Sequence, residues 1–188
     1  MNTRRKMLAA AGGGSTLFVL AALAAVAVAA TVIGTDGDDQ LVGSPADDRI
    51  AALAGDDTVR ALAGDDRVRA GDGDDRVGGG RGADRINSGS GRDMVRGGGG
   101  PDRIRIGARR GDSGADAAPD RVDDRAAGGP GPDRIGARDG LVDHVSCGRG
   151  RDIAILDRVD VIADASAENR NGSCERVRRA GPQPDPES

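Results

Sequence analysis

The chain has 188 residues with 32 glycines, one Phe, no Trp or Tyr, and a formal net charge of −4. From Thr31 onward only 26 of 158 residues are Ile, Leu or Val, which is below the fraction that a conventional globular core requires, so composition alone suggests disorder. Without the N-terminal Arg4, Arg5 and Lys6, the chain has 24 basic and 31 acidic residues, which argues against a nucleic-acid-binding protein.

Residues 1–30 have the pattern of a secretory signal peptide. A short basic region comes first, an apolar run follows over residues 17–29, and small residues end the segment. Cleavage after Ala29 and cleavage after Ala30 both fit. Residues 3–8 resemble a twin-arginine signal, but the motif is short and we expect the general secretory route. An uncleaved anchor is the alternative, although the run is shorter than the ~20 residues of a bilayer crossing. The segment predicts a bacterial protein exported to an oxidising environment with free calcium.

An internal repeat occupies residues 34–105, which divide into eight consecutive nonapeptides without a gap. The fourth position is Gly in seven of the eight, and the eighth position is always Ile, Leu or Val. The sixth position is always Asp: Asp39, Asp48, Asp57, Asp66, Asp75, Asp84, Asp93 and Asp102. Glycine allows the positive φ of a tight turn, and the strand around each aliphatic residue is too short to be stable alone. The pattern therefore predicts a solenoid of stacked units.

Stacking has a direct consequence for the aspartates. In a coil with two nonapeptides per turn, each strand lies about 4.8 Å from the strand two units later, and the sixth-position carboxylates are stacked. Two carboxylates at that distance repel each other by roughly 1 kcal/mol in water and by more inside a protein. Calcium, with oxygen ligands at about 2.3–2.6 Å, fits between them, whereas magnesium requires shorter bonds and keeps its waters. The sequence therefore predicts calcium between the turns.

The nonapeptides resemble the RTX, or hemolysin-type calcium-binding, repeat GGxGxDxUx. The resemblance implies an all-β, right-handed parallel β-roll with calcium held in its turns. It also implies that the ligands are the sixth-position Asp side chains and the backbone carbonyls of the turn glycines, shared between units two apart. The turn glycines are Gly37, Gly55, Gly64, Gly73, Gly82, Gly91 and Gly100. The first five units match best because their fifth position is also Asp.

Several positions depart from the family pattern. Leu53 and Leu62 stand where the family has a second Gly, so we expect wider turns there. Ala83, Arg92 and Pro101 replace the fifth-position Asp, which weakens the prediction for the later sites.

The period weakens after Arg105 and returns at Asp120, Asp133 and Asp143. We interpret residues 106–132 as an irregular or loop-bearing stretch of the same solenoid. The predicted organisation is a signal peptide over residues 1–30, a regular roll over 31–105, degenerate repeats with a C-terminal cap over 106–177, and a disordered tail over 178–188.

The two cysteines lie in the predicted cap. In an exported chain, Cys147 and Cys174 are expected to form a disulfide, and zinc is the alternative. Two cysteines and one histidine without a close pair are a poor ligand set for zinc. His144 occupies an outward column, which favours a surface position.

Arginine recurs at the outward seventh position, where stacked side chains predict basic stripes. Such stripes suit an anionic cell-wall polymer or surface polysaccharide, and a solvated face that offsets nearby carboxylates is the simpler interpretation. The leading hypothesis is an exported calcium-binding structural or interaction module that folds on calcium. A calcium-independent adhesive solenoid is the alternative. A polysaccharide-active enzyme is disfavoured, because the chain has no aromatic sugar platform and no lysine after Lys6, and no catalytic residue or nucleic-acid partner is predicted.

Overall fold

The structure, a computed structural model, describes residues 17–20, 28–107, 123–164 and 173–179. Most of the predicted signal peptide and the tail from residue 180 lie outside these residues. The described residues form β-strands without a helix, and therefore contain no helix long and apolar enough to span a membrane. The strands are β1 (Leu17–Leu20), β2 (Thr31–Ile33), β3 (Asp39–Val42), β4 (Arg49–Ala54), β5 (Thr58–Ala63), β6 (Arg67–Asp72), β7 (Arg76–Arg81), β8 (Arg85–Ser90), β9 (Met94–Gly99), β10 (Arg103–Ile106), β11 (Arg125–Pro130), β12 (Arg134–Ala137), β13 (His144–Arg149), β14 (Ile153–Leu156), β15 (Val161–Ile162) and β16 (Arg176–Arg179).

Successive strands alternate between two parallel sheets. The odd-numbered strands form the first sheet and the even-numbered strands form the second, each in chain order. Arg49 pairs with Arg67 in the second sheet, and Thr58 pairs with Arg76 in the first. Each turn of the roll therefore contains two nonapeptides. The predicted all-β parallel solenoid is confirmed, with about 6 turns.

The core is a narrow column between the two sheets. Its large members are the eighth-position aliphatic residues, each at most 3 % exposed: Leu41, Ile50, Val59, Val68, Val77, Ile86, Val95 and Ile104. Ala52, Ala61 and Ala70, at the first position, are also buried. Two flat sheets that share one layer of small and medium side chains leave no space for rings, which explains the aromatic-free composition physically.

Leu53 and Leu62 adopt the backbone conformation of glycine, with φ of 91° and 86°. They pair with Gly71 and Gly80 of the next turn, so the period of two nonapeptides is unchanged. The expectation of wider turns was wrong, because the leucine backbone adopts a positive φ instead of opening the turn. A side chain held in this region costs on the order of 1–3 kcal/mol.

We expect Leu53→Gly to stabilise the folded protein by about 1 kcal/mol, because glycine removes the backbone strain but loses more chain entropy on folding. The side chain of Leu53 is 45 % exposed, so little packing is lost. Chemical unfolding in calcium measures the effect. Leu53→Ala is the control, since alanine shortens the side chain but retains the strain. Equal stability of the two variants would contradict this explanation.

Strands on either side of residues 108–122 pair with each other in both sheets, β9 with β11 and β10 with β12. The N–H of Asp93 bonds to Asp124 and that of Asp102 to Asp133, with sequence separations of 31 where earlier turns have 18. The chain therefore contains an insertion relative to the 18-residue period of the earlier turns. Within the stretch 106–132 that the sequence predicts as irregular, Arg125–Pro130 forms the regular strand β11.

The C-terminal end of the roll is closed by covalent and polar contacts. Cys147 and Cys174 form the expected disulfide, with their Cα atoms 5.1 Å apart. The Ser173 hydroxyl accepts hydrogen bonds from the N–H groups of Cys147 and Gly148 at 2.8 and 3.0 Å. Strand β16 runs to Arg179, so it extends two residues into the segment 178–188 that the sequence predicts as tail.

Removal of the disulfide by the double substitution Cys147→Ala and Cys174→Ala is expected to lower the free energy of unfolding by about 3 kcal/mol. The bridge closes a sequence separation of 27 residues and so restricts the unfolded chain. Urea unfolding in saturating calcium is the measurement, with wild type under reducing conditions as the matched comparison. An unchanged urea midpoint in both the double variant and the reduced wild type would mean that the disulfide does not stabilise the C-terminal end of the roll.

Candidate metal sites

The eight sixth-position aspartates are buried, each at most 2 % exposed. They form two columns, one at each edge of the roll, because alternate turns lead into the first or the second sheet. The first ladder contains Asp39, Asp57, Asp75 and Asp93, and the second contains Asp48, Asp66, Asp84 and Asp102. Units two apart are therefore brought into register, as the sequence predicts.

A repeated hydrogen bond holds each carboxylate in place. The backbone N–H of Asp57 donates to Oδ1 of Asp75 at 2.9 Å, and that of Asp66 donates to Oδ1 of Asp84 at 3.0 Å. The second oxygen, Oδ2, is buried and has no hydrogen-bond partner in seven described aspartates: Asp57, Asp66, Asp75, Asp84, Asp102, Asp133 and Asp152. A buried acceptor without a partner costs ~1–3 kcal/mol, and a charged one costs more.

Oxygen atoms of the backbone lie beside these unpartnered carboxylate oxygens. A Cβ added to Gly79 would overlap both Oδ2 of Asp84 and the carbonyl oxygen of Gly97, which belongs to the next turn. Asp102 and Asp133 have the same surroundings in the following turns. A fixed carboxylate oxygen with a carbonyl oxygen nearby is a hard donor set, of the kind that calcium prefers. The residues present therefore fit a calcium ion.

The predicted turn glycines form their own columns. Six of the seven have positive φ, between 107° and 128°: Gly55, Gly64, Gly73, Gly82, Gly91 and Gly100. A Cβ on Gly73 or Gly82 would overlap the carbonyl oxygen of the glycine one turn earlier. These positions require glycine because the carbonyls stack closely, which places further oxygen donors along each turn. Gly37, in the first turn, is not among the residues with positive φ.

The buried carboxylates resist ionisation. Burial raises the pKa of Asp75 to about 8, the hydrogen bond from Asp57 opposes this shift, and the charges of Asp93 and Asp57 add to it. Burial likewise raises the pKa of Asp66 and Asp102 to about 7, and of Asp57, Asp133 and Asp160 to about 6. The aspartate columns therefore favour protons or a bound cation over bare negative charge.

The fifth-position aspartates form two separate ladders at the surface, one at each edge of the roll. The N–H of Asp56 donates to Oδ1 of Asp38, and the N–H of Asp74 donates to Oδ1 of Asp56, both at 2.8 Å. The bond runs from the later turn to the earlier carboxylate, opposite to the buried ladders. The same hydrogen bond is present where Ala83 and Arg92 replace Asp, because their N–H groups still donate to the carboxylate one turn earlier.

Sequence reasoning placed the return of the period at Asp133 and Asp143 but did not name them as ligands, and it did not identify Asp124 or Asp152. The first ladder continues through Asp124 and Asp143, and the second through Asp133 and Asp152. The ladders end at Asp160 and Glu175, whose carboxylates accept the N–H groups of Asp143 and Asp152. The triplet Asp-Arg-aliphatic marked Asp133, but Asp124 was hidden because Ala126 occupies the aliphatic position. The predicted return at Asp120 lies outside the described residues.

A third acidic residue joins the first ladder after the insertion. Asp124, Asp139 and Asp143 each offer a carboxylate oxygen within 4.8 Å of the others. Asp139 lies in the turn between β12 and β13, where its Oδ1 accepts the N–H of Leu141 at 2.9 Å. No repeat position marks this residue, so sequence reasoning did not identify it.

The two stacked sheets, the buried aspartate columns and the carbonyl-lined turns define a calcium-binding parallel β-roll. The family model of the RTX calcium-binding nonapeptide repeat, with four copies, matches residues 33–68, 52–86 and 69–104. Residues 33–104 therefore match the RTX calcium-binding nonapeptide repeat, and repeats of this type bind calcium. Comparison with curated proteins and with solved structures gives no significant match.

Proposed function

We propose that the protein is an exported calcium-binding β-roll that folds when it meets calcium and then acts as a noncatalytic structural or interaction module. One observation carries the proposal: the sixth-position carboxylates are buried in register, and Oδ2 has no hydrogen-bond partner in seven of the described aspartates. Without a cation these charges oppose folding. The energy of binding calcium therefore becomes energy of folding.

The ligands in this proposal are the side-chain carboxylates of the sixth-position aspartates and the backbone carbonyls of the turns. The regular turns support it best, because Asp66, Asp75 and Asp84 each have a buried Oδ2 without a partner. Their Oδ1 atoms accept backbone hydrogen bonds, which leaves the second oxygen for the ion. The proposed sites require little rearrangement of the carboxylates when calcium enters.

The proposed noncatalytic role is supported by the way the carboxylates are used. The aspartates that are fully buried belong to the two ladders or to the capping turn. His144 is only partly buried and lies in an outward column between Arg125 and Val161. These carboxylates are therefore held in place by the repeat architecture, through the hydrogen bonds of the ladders.

Export is supported by the pattern of residues 1–30 and by the disulfide, since disulfides persist in oxidising compartments. Expression of the full chain in a bacterial host tests this part of the proposal. Mass spectrometry of the protein outside the cytoplasm is expected to give a chain that starts at Ala30 or Thr31. A chain of full length that remains in the cytoplasm would contradict export.

The folding step is tested by small-angle scattering of the chain from Thr31 in chelator and in calcium, at constant ionic strength. The radius of gyration is expected to fall by about half when calcium is added, because an unfolded chain of this length is roughly twice as large as a folded one. A compact chain in chelator whose radius calcium does not change would contradict the proposal.

A further inference from the structure

The structure places most of the seventh-position arginines on one face of the roll. On the outer face of the second sheet, Arg49, Arg67, Arg85, Arg103 and Arg134 are direct neighbours in five successive strands. We call this set the arginine column. All five side chains are exposed, and the spacing of neighbouring strands places them about 4.8 Å apart.

The arginine column is not neutralised by nearby acids. Neither of the two outward columns of the second sheet, which start at Thr31 and Ile33, contains Asp or Glu. In the part of the chain that the structure describes, none of the five guanidinium groups has a hydrogen bond or ion pair. Arg105, in the adjacent column, differs because it donates to Asn87 at 3.0 Å. Among the described residues, five like charges are thus stacked without a direct ion pair to an acidic side chain.

The first sheet lacks this arrangement. In its seventh-position column, Thr58, Arg76, Met94, Arg125 and His144 are successive neighbours, so each arginine is separated from the next. Both sheets have the same backbone and the same repeat, and only the second concentrates the charge. Alternate nonapeptides therefore encode two chemically different faces.

The surroundings of the column restrict what can bind it. Asp47 and Asp65 lie in the turns at one edge of the second sheet, and Asp38, Asp56 and Asp74 lie in those at the other, all of them exposed. A broad polyanion would meet these acidic edges, whereas a narrow chain along the column avoids them.

Nucleic acid is a poor match to the column. Along the helix axis the phosphates of a DNA strand recur every ~3.4 Å, which differs from the strand spacing of about 4.8 Å. After the predicted signal peptide the chain has no Phe, Tyr or Trp on which bases could stack. An extended sugar polymer with one carboxylate on each ring is narrow enough to avoid the acidic edges. Its negative charges are separated by about the length of one sugar ring.

We propose that the arginine column binds a linear carboxylated polysaccharide laid along the axis of the roll. Guanidinium groups pair with carboxylates through two parallel N–H bonds, which suits a regular row of uronate groups. The inference rests on the proposed function, because the column exists only once the roll has folded. It adds the chemical class of the partner and the face that holds it.

Binding of a short oligogalacturonate, too short to gel with calcium, to the calcium-loaded full chain tests the inference by calorimetry. The triple substitution R67Q, R85Q and R103Q is expected to weaken binding by about tenfold or more, since three exposed ion pairs are lost. The matched control R60Q, R76Q and R96Q removes the same charge from the first sheet and is expected to leave the affinity within about twofold of wild type. Equal weakening by both triples, or no binding by wild type, would overturn the inference.

Two further measurements, DNA binding and circular dichroism, distinguish the remaining outcomes. Duplex DNA that binds more tightly than the oligogalacturonate, with the same dependence on the arginine column, would overturn the polysaccharide assignment. Circular dichroism of each sample reports folding. A folded chain without binding overturns this inference alone, whereas a chain that stays unfolded in calcium overturns it together with the proposed function.

Discussion

Asp75→Asn is expected to change the stability of the roll in opposite directions with and without calcium. Asn retains the oxygen that accepts the N–H of Asp57, so the geometry of the ladder is preserved. It removes a buried carboxyl group whose pKa is raised to about 8 and whose ionisation opposes folding, which favours the calcium-free fold. It also removes a proposed calcium ligand, so the calcium concentration at the folding midpoint is expected to rise on the order of tenfold.

Asp74→Asn is the matched control for this prediction. Asp74 is the adjacent residue, it is exposed, and its Oδ1 accepts a backbone N–H from Arg92 as the buried residue does from Asp57. We expect the control to change the calcium midpoint by less than about threefold, since it lies at the surface. Calcium titration of both variants, followed by circular dichroism, makes the comparison. The assignment of the ladder as the ligand set would be wrong if Asp75→Asn behaved as its neighbour does.

The calcium-free roll is expected to lose stability as pH rises from about 4 to about 8, contrary to proteins whose carboxylates are paired. The ladder aspartates have folded pKa values from about 6 to about 8, above the ordinary 3.8. Their contribution to stability is therefore fully present below pH 3.8 and is lost as pH rises through the folded pKa values. The roll therefore folds without calcium when these carboxyl groups are protonated, and it requires a bound cation when they are ionised.

Calcium reverses this dependence. The ion binds deprotonated carboxylates, so calcium affinity is expected to fall as pH decreases, by about tenfold per pH unit for each proton released. Far-UV circular dichroism in chelator from about pH 4 to about pH 8, and calcium titrations at the same pH values, measure the two trends. Asp75→Asn flattens the first trend if the buried carboxylate causes it. A calcium-free roll that becomes more stable towards pH 8 would contradict the prediction.

The regular part of the fold was predictable because three columns of the repeat report separate physical requirements. Gly at the fourth position determines the turn, Asp at the sixth position determines the ladder, and an aliphatic residue at the eighth position determines the core. The period of two nonapeptides per turn follows from the need to bury one aliphatic residue in each strand between two sheets. The pairing of Cys147 with Cys174 was also anticipated, and the structure confirms it.

Other features depend on neighbours that the sequence does not display. Asp124 follows the insertion and precedes Ala126, so neither spacing nor hydrophobicity marks it as a ladder residue. Glu175 ends the second ladder although it belongs to no repeat, because a longer side chain reaches the N–H of Asp152. Arg179 donates to the carbonyls of Asp157 and Asp160 at 3.2 and 2.9 Å, which closes the last turn. These contacts arise where the repeat stops.

The leucine turns illustrate a different limit. Departure from glycine at Leu53 and Leu62 suggested wider turns, but the ladders and sheets on both sides hold the backbone in the glycine conformation. The strands stacked on either side determine the backbone conformation of the turn, and the leucine adopts a strained positive φ. Local sequence rules therefore predict the position of each turn better than its backbone angles.

The most direct test of the calcium-dependent fold is far-UV circular dichroism of the chain from Thr31, first in chelator and then during titration with calcium, with magnesium as the control. We expect a chain without β signal in chelator at neutral pH, a cooperative rise in β signal with calcium, and no such rise with magnesium. A chain that already has its full β signal in chelator, or that folds equally well with magnesium, would contradict calcium-dependent folding.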